Sequence, residues 1–165
     1  MNQKKTQNNF NPIIYFFVCL VVMLAFDLLL TNHIISNIFT TTDSFKFVDI
    51  VYVQNTGAAF SSFQHSTLFL IIISVFAVFF IIYELFKDPK KYTPAMYFAT
   101  AMLASGVICN TYERITLGYV RDFINLKFVE FPVFNISDIL INLGVLVIIV
   151  LVACKKYKKY DKTNI

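Results

Sequence analysis

FNISDILINLGVLVIIVLVA, residues 134–153, is a run of twenty positions whose single ionisable side chain is Asp138. The hydrocarbon core of a bilayer is crossed by about 20 mainly apolar helical residues, so this stretch has the length and chemistry of a membrane span. Three further runs, 12–30, 66–86 and 94–110, have the same character or nearly so. The whole chain is 58% hydrophobic and 15% charged over 165 residues, whereas soluble domains carry about 25% charged residues. The expected fold is therefore an α-helical integral membrane protein, a single membrane domain over residues 1–165 with four transmembrane helices. Residues 31–65 and 111–133 are left as the longer connecting segments.

Basic residues orient the spans, because lysine and arginine near helix ends stay on the cytoplasmic side. Lys4, Lys5, Lys87, Lys90, Lys91, Lys155, Lys156, Lys158, Lys159 and Lys162 fall on one side. Lys46, Arg114, Arg121 and Lys127 fall on the other, so the fourteen basic residues divide ten to four. Both termini are expected in the cytoplasm, with segments 31–65 and 111–133 outside. The net charge of +4 then forms an inward-facing collar that can meet anionic membrane lipid, and no nucleic-acid partner is called for. The basic start followed by an apolar run resembles a secretory leader, but no small-x-small cleavage site closes it, so it is read as an uncleaved first span.

The outer segments have a different texture. Phe45 to Val53 alternates as a strand does, and Tyr119 to Phe123 and Lys127 to Phe131 are short and strand-like. These pieces are expected to pair into a small sheet on the outer membrane surface. The inner connection 87–93 is short, charged and contains Pro89, a plain turn between helices. Any chemistry is expected outside.

Ionisable groups inside spans cost about 2.5 to 3.5 kcal/mol at the bilayer centre and mark functional sites by default. Asp27, near the outer end of the first span, and Asp138, in the first turns of the fourth, meet that description. Asp122 lies in the segment delivering the chain to the fourth span and can approach Asp138 from above. Gly106, Asn110 and Arg114 are spaced four apart and share one face if the third helix continues to Arg114. Asn135, Asp138 and Asn142 form a similar stripe on the fourth. Two carboxylates in a partly dry site share one proton, since such close like charges cannot both ionise near neutral pH. The ionised member activates water, while the protonated one stabilises the oxyanion developing on a peptide carbonyl. This is aspartyl protease chemistry.

Other chemistries have less behind them. Ser61, Ser62 and His65 have no third orienting residue and read as turn chemistry. His33 and His65 lack the spacing of a zinc site, and Cys19, Cys109 and Cys154 suggest neither disulfides nor a metal. Cys109 is expected to pack as a small apolar residue.

Four motifs in order resemble the lipoprotein signal peptidases, also called signal peptidase II. They are Asn55-Thr56-Gly57-Ala58-Ala59-Phe60-Ser61, Asn110-Thr111-Tyr112-Glu113-Arg114, Gly118-Tyr119-Val120-Arg121-Asp122-Phe123 and Phe134-Asn135-Ile136-Ser137-Asp138. Their order, spacing and placement around the spans agree over nearly the whole chain. The resemblance implies that Asp122 and Asp138 are the catalytic pair and that Asp27, Asn55, Gly106, Asn110, Arg114 and Asn135 bind substrate or support the site. It also implies a small extracytoplasmic β-cradle and cleavage of a diacylated prolipoprotein immediately before its lipidated cysteine, with no metal or organic cofactor. A monomer in the bacterial cytoplasmic (inner) membrane is expected.

Three positions depart from the pattern that this resemblance implies. Thr31 stands where lysine is common, Glu113 where aspartate precedes the arginine, and Ser105 and Cys109 where glycines precede the asparagine. Lacking a charge, Thr31 is expected to be dispensable. Two rival functions are a noncatalytic binder of lipidated peptides and a small channel or transporter. The second lacks an inverted repeat or broken helices, and its carboxylates would cluster at one surface.

Overall fold

The computed structural model describes residues 11–38, 45–57, 67–89 and 91–161, with side chains as far as Cys154. Among these residues the element order is α1 (Pro12–Asn37), β1 (Val48–Asn55), α2 (Thr67–Lys87), α3 (Pro94–Leu117), β2 (Val120–Leu126) and α4 (Ile136–Asp161). Residues 58–61 of the first motif, together with Ser62 and His65, lie outside the described residues.

Three helix starts are written in local chemistry. Asn11 caps α1, its Oδ1 accepting from the backbone N–H groups of Ile13 at 3.0 Å and Ile14 at 3.2 Å, with Pro12 in the first helical position. Thr93 caps α3 in the same way, accepting from Met96 N–H at 3.2 Å ahead of Pro94. Each cap satisfies N–H groups that a helix leaves unpaired, and proline fits there because it has no N–H to lose. Asn135 caps α4, as described below. At its other end α3 closes on Gly118, whose φ of 86° lies in the left-handed region that favours glycine.

Helices α1, α2 and α4 are long and apolar enough to cross a membrane. Their outward faces expose Val22, Leu29, Phe76, Phe79, Leu146 and Ile149, an arrangement stable only where lipid is the solvent. Helix α3 is less apolar and does not meet the same criterion, and its position explains why. It packs against α1, α2 and α4, so much of it faces protein. Ala99, Ala101, Ala104, Ser105 and Gly106 are buried along it, the small residues that let helix backbones approach closely in membranes. A Cβ on Gly106 would collide with the Ser137 carbonyl oxygen, and one on Gly144 would come within 2.8 Å of the Ala99 carbonyl oxygen. Phe16, Leu20, Leu85, Tyr97, Ala101 and Ala104 form the shared core of α1, α2 and α3.

Strands β1 and β2 form a two-stranded antiparallel sheet. Val48 opposes Leu126 at one end and Asn55 opposes Val120 at the other, with an irregularity between Ile50 and Val53. Val51 and Tyr52 there stand against Phe123 alone, as in a β-bulge. One extra residue inverts the facing of all that follow it. Asn55 therefore faces the same side as Asp122; with unbroken pairing it would face away. The expected strand over 127–131 is absent: β2 ends at Leu126, and past it the Lys127 N–H still donates to the Phe47 carbonyl at 3.1 Å before the chain turns away from extended pairing. Three helix ends also move: α1 continues seven residues past Leu30, α3 seven past Asn110 and α4 eight past Ala153.

Candidate active site

Asp122 sits in the middle of β2 and is 2% exposed. Asp138 lies in the first turn of α4 and is half-buried. Backbone pairing ties the two elements together: Phe134 accepts from Phe123 and Ile124 at 3.1 and 2.8 Å and donates back to Ile124 at 3.1 Å. The residue after this clasp is Asn135, and it reaches both carboxyl groups. Its side-chain amide donates to Asp122 Oδ1 at 2.8 Å, and its backbone N–H donates to Asp138 Oδ2 at 3.2 Å.

The remaining carboxylate oxygens are held by amides on other elements. Asn55, at the end of β1, donates to Asp122 Oδ2 at 2.8 Å. Asn110, on α3, donates to Asp138 Oδ1 at 2.9 Å and accepts from Asn135 at 3.1 Å. Each of the four oxygens thus receives an amide donor, which fixes both carboxyl groups without supplying a proton. Arg114 stands one turn beyond Asn110, donating to the Gly57 carbonyl at 2.9 Å and the Asn110 carbonyl at 3.3 Å. Its charge faces both aspartates without a direct bond to either.

Burial pushes the Asp122 carboxyl up to about 7 from its ordinary 3.8, against the amides of Asn55 and Asn135 and the charge of Arg114, which favour the ionised form. The neighbouring Asp138 adds to the rise. A group near half-protonation at neutral pH beside a second carboxyl is what general acid–base work needs.

The sequence of this chain matches the family profile described as Signal peptidase (SPase) II over residues 19–154. The chain belongs to the signal peptidase II family. Members are aspartyl proteases that remove signal peptides from prolipoproteins. A lipoprotein signal peptidase of Lactobacillus johnsonii is 33% identical over 141 residues, covering 83% of this chain and 90% of the relative. One from Caldanaerobacter subterraneus subsp. tengcongensis is 41% identical over 104 residues, covering 62% and 68%. A bacterial membrane enzyme solved by the in meso method at 2.3 Å superposes with a TM-score of 0.76 at 29% identity, covering 87% of this chain and 90% of that one.

Of the residues that the signal peptidase II resemblance singles out, Asn55, Asn110, Arg114, Asp122, Asn135 and Asp138 come together here. Gly106 lies one turn below, as the contact between α3 and the first turn of α4. Asp27 does not join this group. Its carboxylate is 2% exposed and held by Thr31 at 3.1 Å and by the Ser137 hydroxyl. The Cys109 thiol lies against it as well, so Cys109 meets a polar group where apolar packing was expected. Asn142 is exposed and bonds to the Asp138 carbonyl of its own helix at 2.8 Å, away from the carboxyl groups.

Two features are not apparent in the sequence. Ser137 meets Asp27 from 110 residues away. Glu113 binds Arg121 through two side-chain contacts, 2.9 Å to Nε and 2.6 Å to Nη2, and accepts from the Arg121 backbone N–H at 2.7 Å. Arg121 also reaches Asn32 at 3.1 Å. The signal available for the second was an opposite-charge pair in which one member immediately precedes Asp122. A groove of about 550 Å³ lined by Asp49, Leu126, Lys127, Phe128 and Phe131 lies elsewhere, and neither Asp122 nor Asp138 lines it.

Proposed function

We propose that Asp122 and Asp138 are the catalytic pair with which this chain cleaves diacylglyceryl-modified prolipoproteins immediately before the lipidated cysteine. The observation that carries this reading is Asn135, which contacts both carboxyl groups at once. The pair holds one shared proton. The ionised carboxylate takes a proton from a water molecule whose oxygen attacks the scissile carbonyl carbon. The protonated carboxyl donates to the carbonyl oxygen as negative charge develops there. Collapse of the tetrahedral intermediate breaks the C–N bond, and the proton taken from water passes to the leaving nitrogen.

In this reading α3 is a fourth span, shielded from lipid by its three neighbours. The ten-to-four lysine and arginine asymmetry supports cytoplasmic termini. The dyad then lies near the extracytoplasmic surface of the inner membrane. A scissile bond tethered by two acyl chains is held at that depth, so lipid anchorage delivers the substrate to the carboxyl groups. A monomer supplies every residue of the site.

The decisive assay is cleavage of a diacylated precursor by purified Asp122→Asn and Asp138→Asn at matched concentration. Either substitution preserves size and removes a titrating proton or a charge. Cleavage is expected to fall by several orders of magnitude in each, with little further loss in the double variant because the two act as a unit. Precursor binding is expected to survive. Near-native cleavage by either variant would overturn the mechanism. Labelling of a C-terminal cysteine from outside intact cells would overturn the topology.

A further inference from the structure

We infer that Ser137 is a positioning residue for Asp138, acting through Asp27 on the first helix. The inference rests on the reading of Asp138 as catalytic.

Asp27 is buried in a membrane span, and among the described residues no lysine or arginine forms an ion pair with it. A buried carboxylate without hydrogen bonds is costly. Here the Cys109 thiol lies against it and two hydroxyls donate to it, Thr31 to Oδ1 at 3.1 Å and Ser137 to Oδ2. They differ in consequence. Thr31 is one turn along the same helix, so its bond stays within α1. Ser137 is on α4, so its bond joins two helices that otherwise make few contacts.

That bond falls at the second position of α4, next to Asp138. The turn carrying both residues is already bounded on two sides. On α3, Gly106 packs against the Ser137 carbonyl, and on β2, Phe134 and Asn135 clasp the chain. The Asp27–Ser137 contact is the third restraint, from α1. A helical turn rotates as a unit, so a hydroxyl anchored at 137 sets the direction in which the carboxyl at 138 leaves the helix. Asp138 must point at Asn110 to receive its 2.9 Å hydrogen bond. Asp27 itself has no hydrogen bond to either catalytic carboxyl; besides the through-space effect of its charge on Asp138, its reach to the site runs through this turn.

The test measures kcat and KM separately for the full-length protein in detergent with a diacylated precursor. A misplacement of about 1 Å in a reacting group costs on the order of a hundredfold. Ser137→Ala is accordingly expected to lower kcat by about ten- to a hundredfold with KM within about twofold of native. Ser137→Cys, similar in size and a weaker donor, should fall between native and alanine. It also serves as the second variant should Ser137→Ala not accumulate. In an Asp27→Ala background, where the carboxylate that joins Ser137 to α1 is gone, Ser137→Ala should change kcat by less than about twofold, because coupled residues are not additive.

Native kcat in Ser137→Ala, or full additivity with Asp27→Ala, would overturn the inference. A rise in KM at unchanged kcat would do so too, since it would assign Ser137 to substrate binding. An active Asp138→Asn sinks the dyad reading itself. An inactive Asp138→Asn with a native Ser137→Ala sinks this inference alone.

Discussion

Asn135 and Asp138 cap one another. The Asn135 side-chain oxygen accepts from the Asp138 backbone N–H at 2.9 Å, and the Asp138 carboxylate accepts from the Asn135 backbone N–H at 3.2 Å. This is the reciprocal geometry of a capping box, with the box carboxylate doubling as a member of the proposed dyad. The same asparagine uses its remaining amide hydrogens on Asp122 and Asn110. Folding the start of α4 and assembling the site are therefore one event.

Asn135→Ala is expected to lower stability by about 1 kcal/mol through the lost cap. It should lower cleavage much further, by on the order of a hundredfold, because Asp122 and Asp138 lose their common partner. Thermal unfolding in detergent and precursor cleavage, measured on the same preparation, separate the two effects. A cleavage loss no larger than the stability loss predicts would reduce Asn135 to a helix cap.

The Asp122 carboxyl, raised to about 7, is expected to set the alkaline side of the pH profile. In the proposed mechanism the shared proton is lost as pH rises through that value, both carboxyls become charged, and cleavage is expected to decline. The sign for stability is the same: a folded-state value raised above the ordinary 3.8 favours the fold when the group is protonated, and that contribution disappears as pH climbs through about 7. Asn55 donates to the ionised form and so holds the value down. Asn55→Ala should move the alkaline limb to higher pH while lowering the maximum rate. A profile of kcat/KM between about pH 5 and pH 9 reads this directly, and a limb moving to lower pH would contradict the assignment.

The spans and the aspartates were legible for different reasons. Apolar runs such as 66–86 announce helices because hydropathy is local to the chain, and α2 follows that run within one residue. Asp122, Asn135 and Asp138 were legible as members of ordered motifs. The helix bounds past Leu30 and Asn110 were not, because those extensions carry polar residues whose partners are distant in sequence. Asn110 and Arg114 share a face only because α3 does continue. The partner of Asp27 was hidden for a similar reason. Depth along a helix can be counted from the sequence, but rotation about its axis depends on packing, and α1 turns Asp27 toward Ser137. The facing of Asn55 depends on a bulge that no residue type in β1 declares.

Glu113 and Arg121 form a largely buried ion pair, their side chains 7% and 16% exposed, joining α3 to the residue before Asp122. Removing one partner of such a pair leaves a buried charge unmatched, at a cost of about 3 to 5 kcal/mol. Arg121→Leu is expected to destabilise the protein by an amount of that order. The double variant Glu113→Leu with Arg121→Leu should recover much of it, because neither charge is then stranded. Unfolding midpoints of the two singles and the double form the cycle; strict additivity would show that the pair is not coupled.

The contact between Gly106 and the first turn of α4 leaves no room for a methyl group. A Cβ there would overlap the Ser137 carbonyl oxygen and lie 2.8 Å from Ile141 Cγ1, and the first of these is backbone that cannot rotate away. Gly106→Ala must therefore separate α3 from α4 at the level where Asn110 meets Asp138. Overpacking of this kind costs about 1 to 3 kcal/mol, and the displaced turn should lower cleavage by on the order of a hundredfold. Gly118→Ala is the informative comparison. It meets open space but sits at φ 86°, so its cost is backbone strain of about 1 to 2 kcal/mol at the end of α3, with no overlap at the α3–α4 contact. The expected pattern is a similar fall in unfolding temperature for both variants and a much larger fall in kcat for Gly106→Ala. Equal losses of kcat in the two would mean that close packing at Gly106 stabilises the helices without setting the position of Asp138.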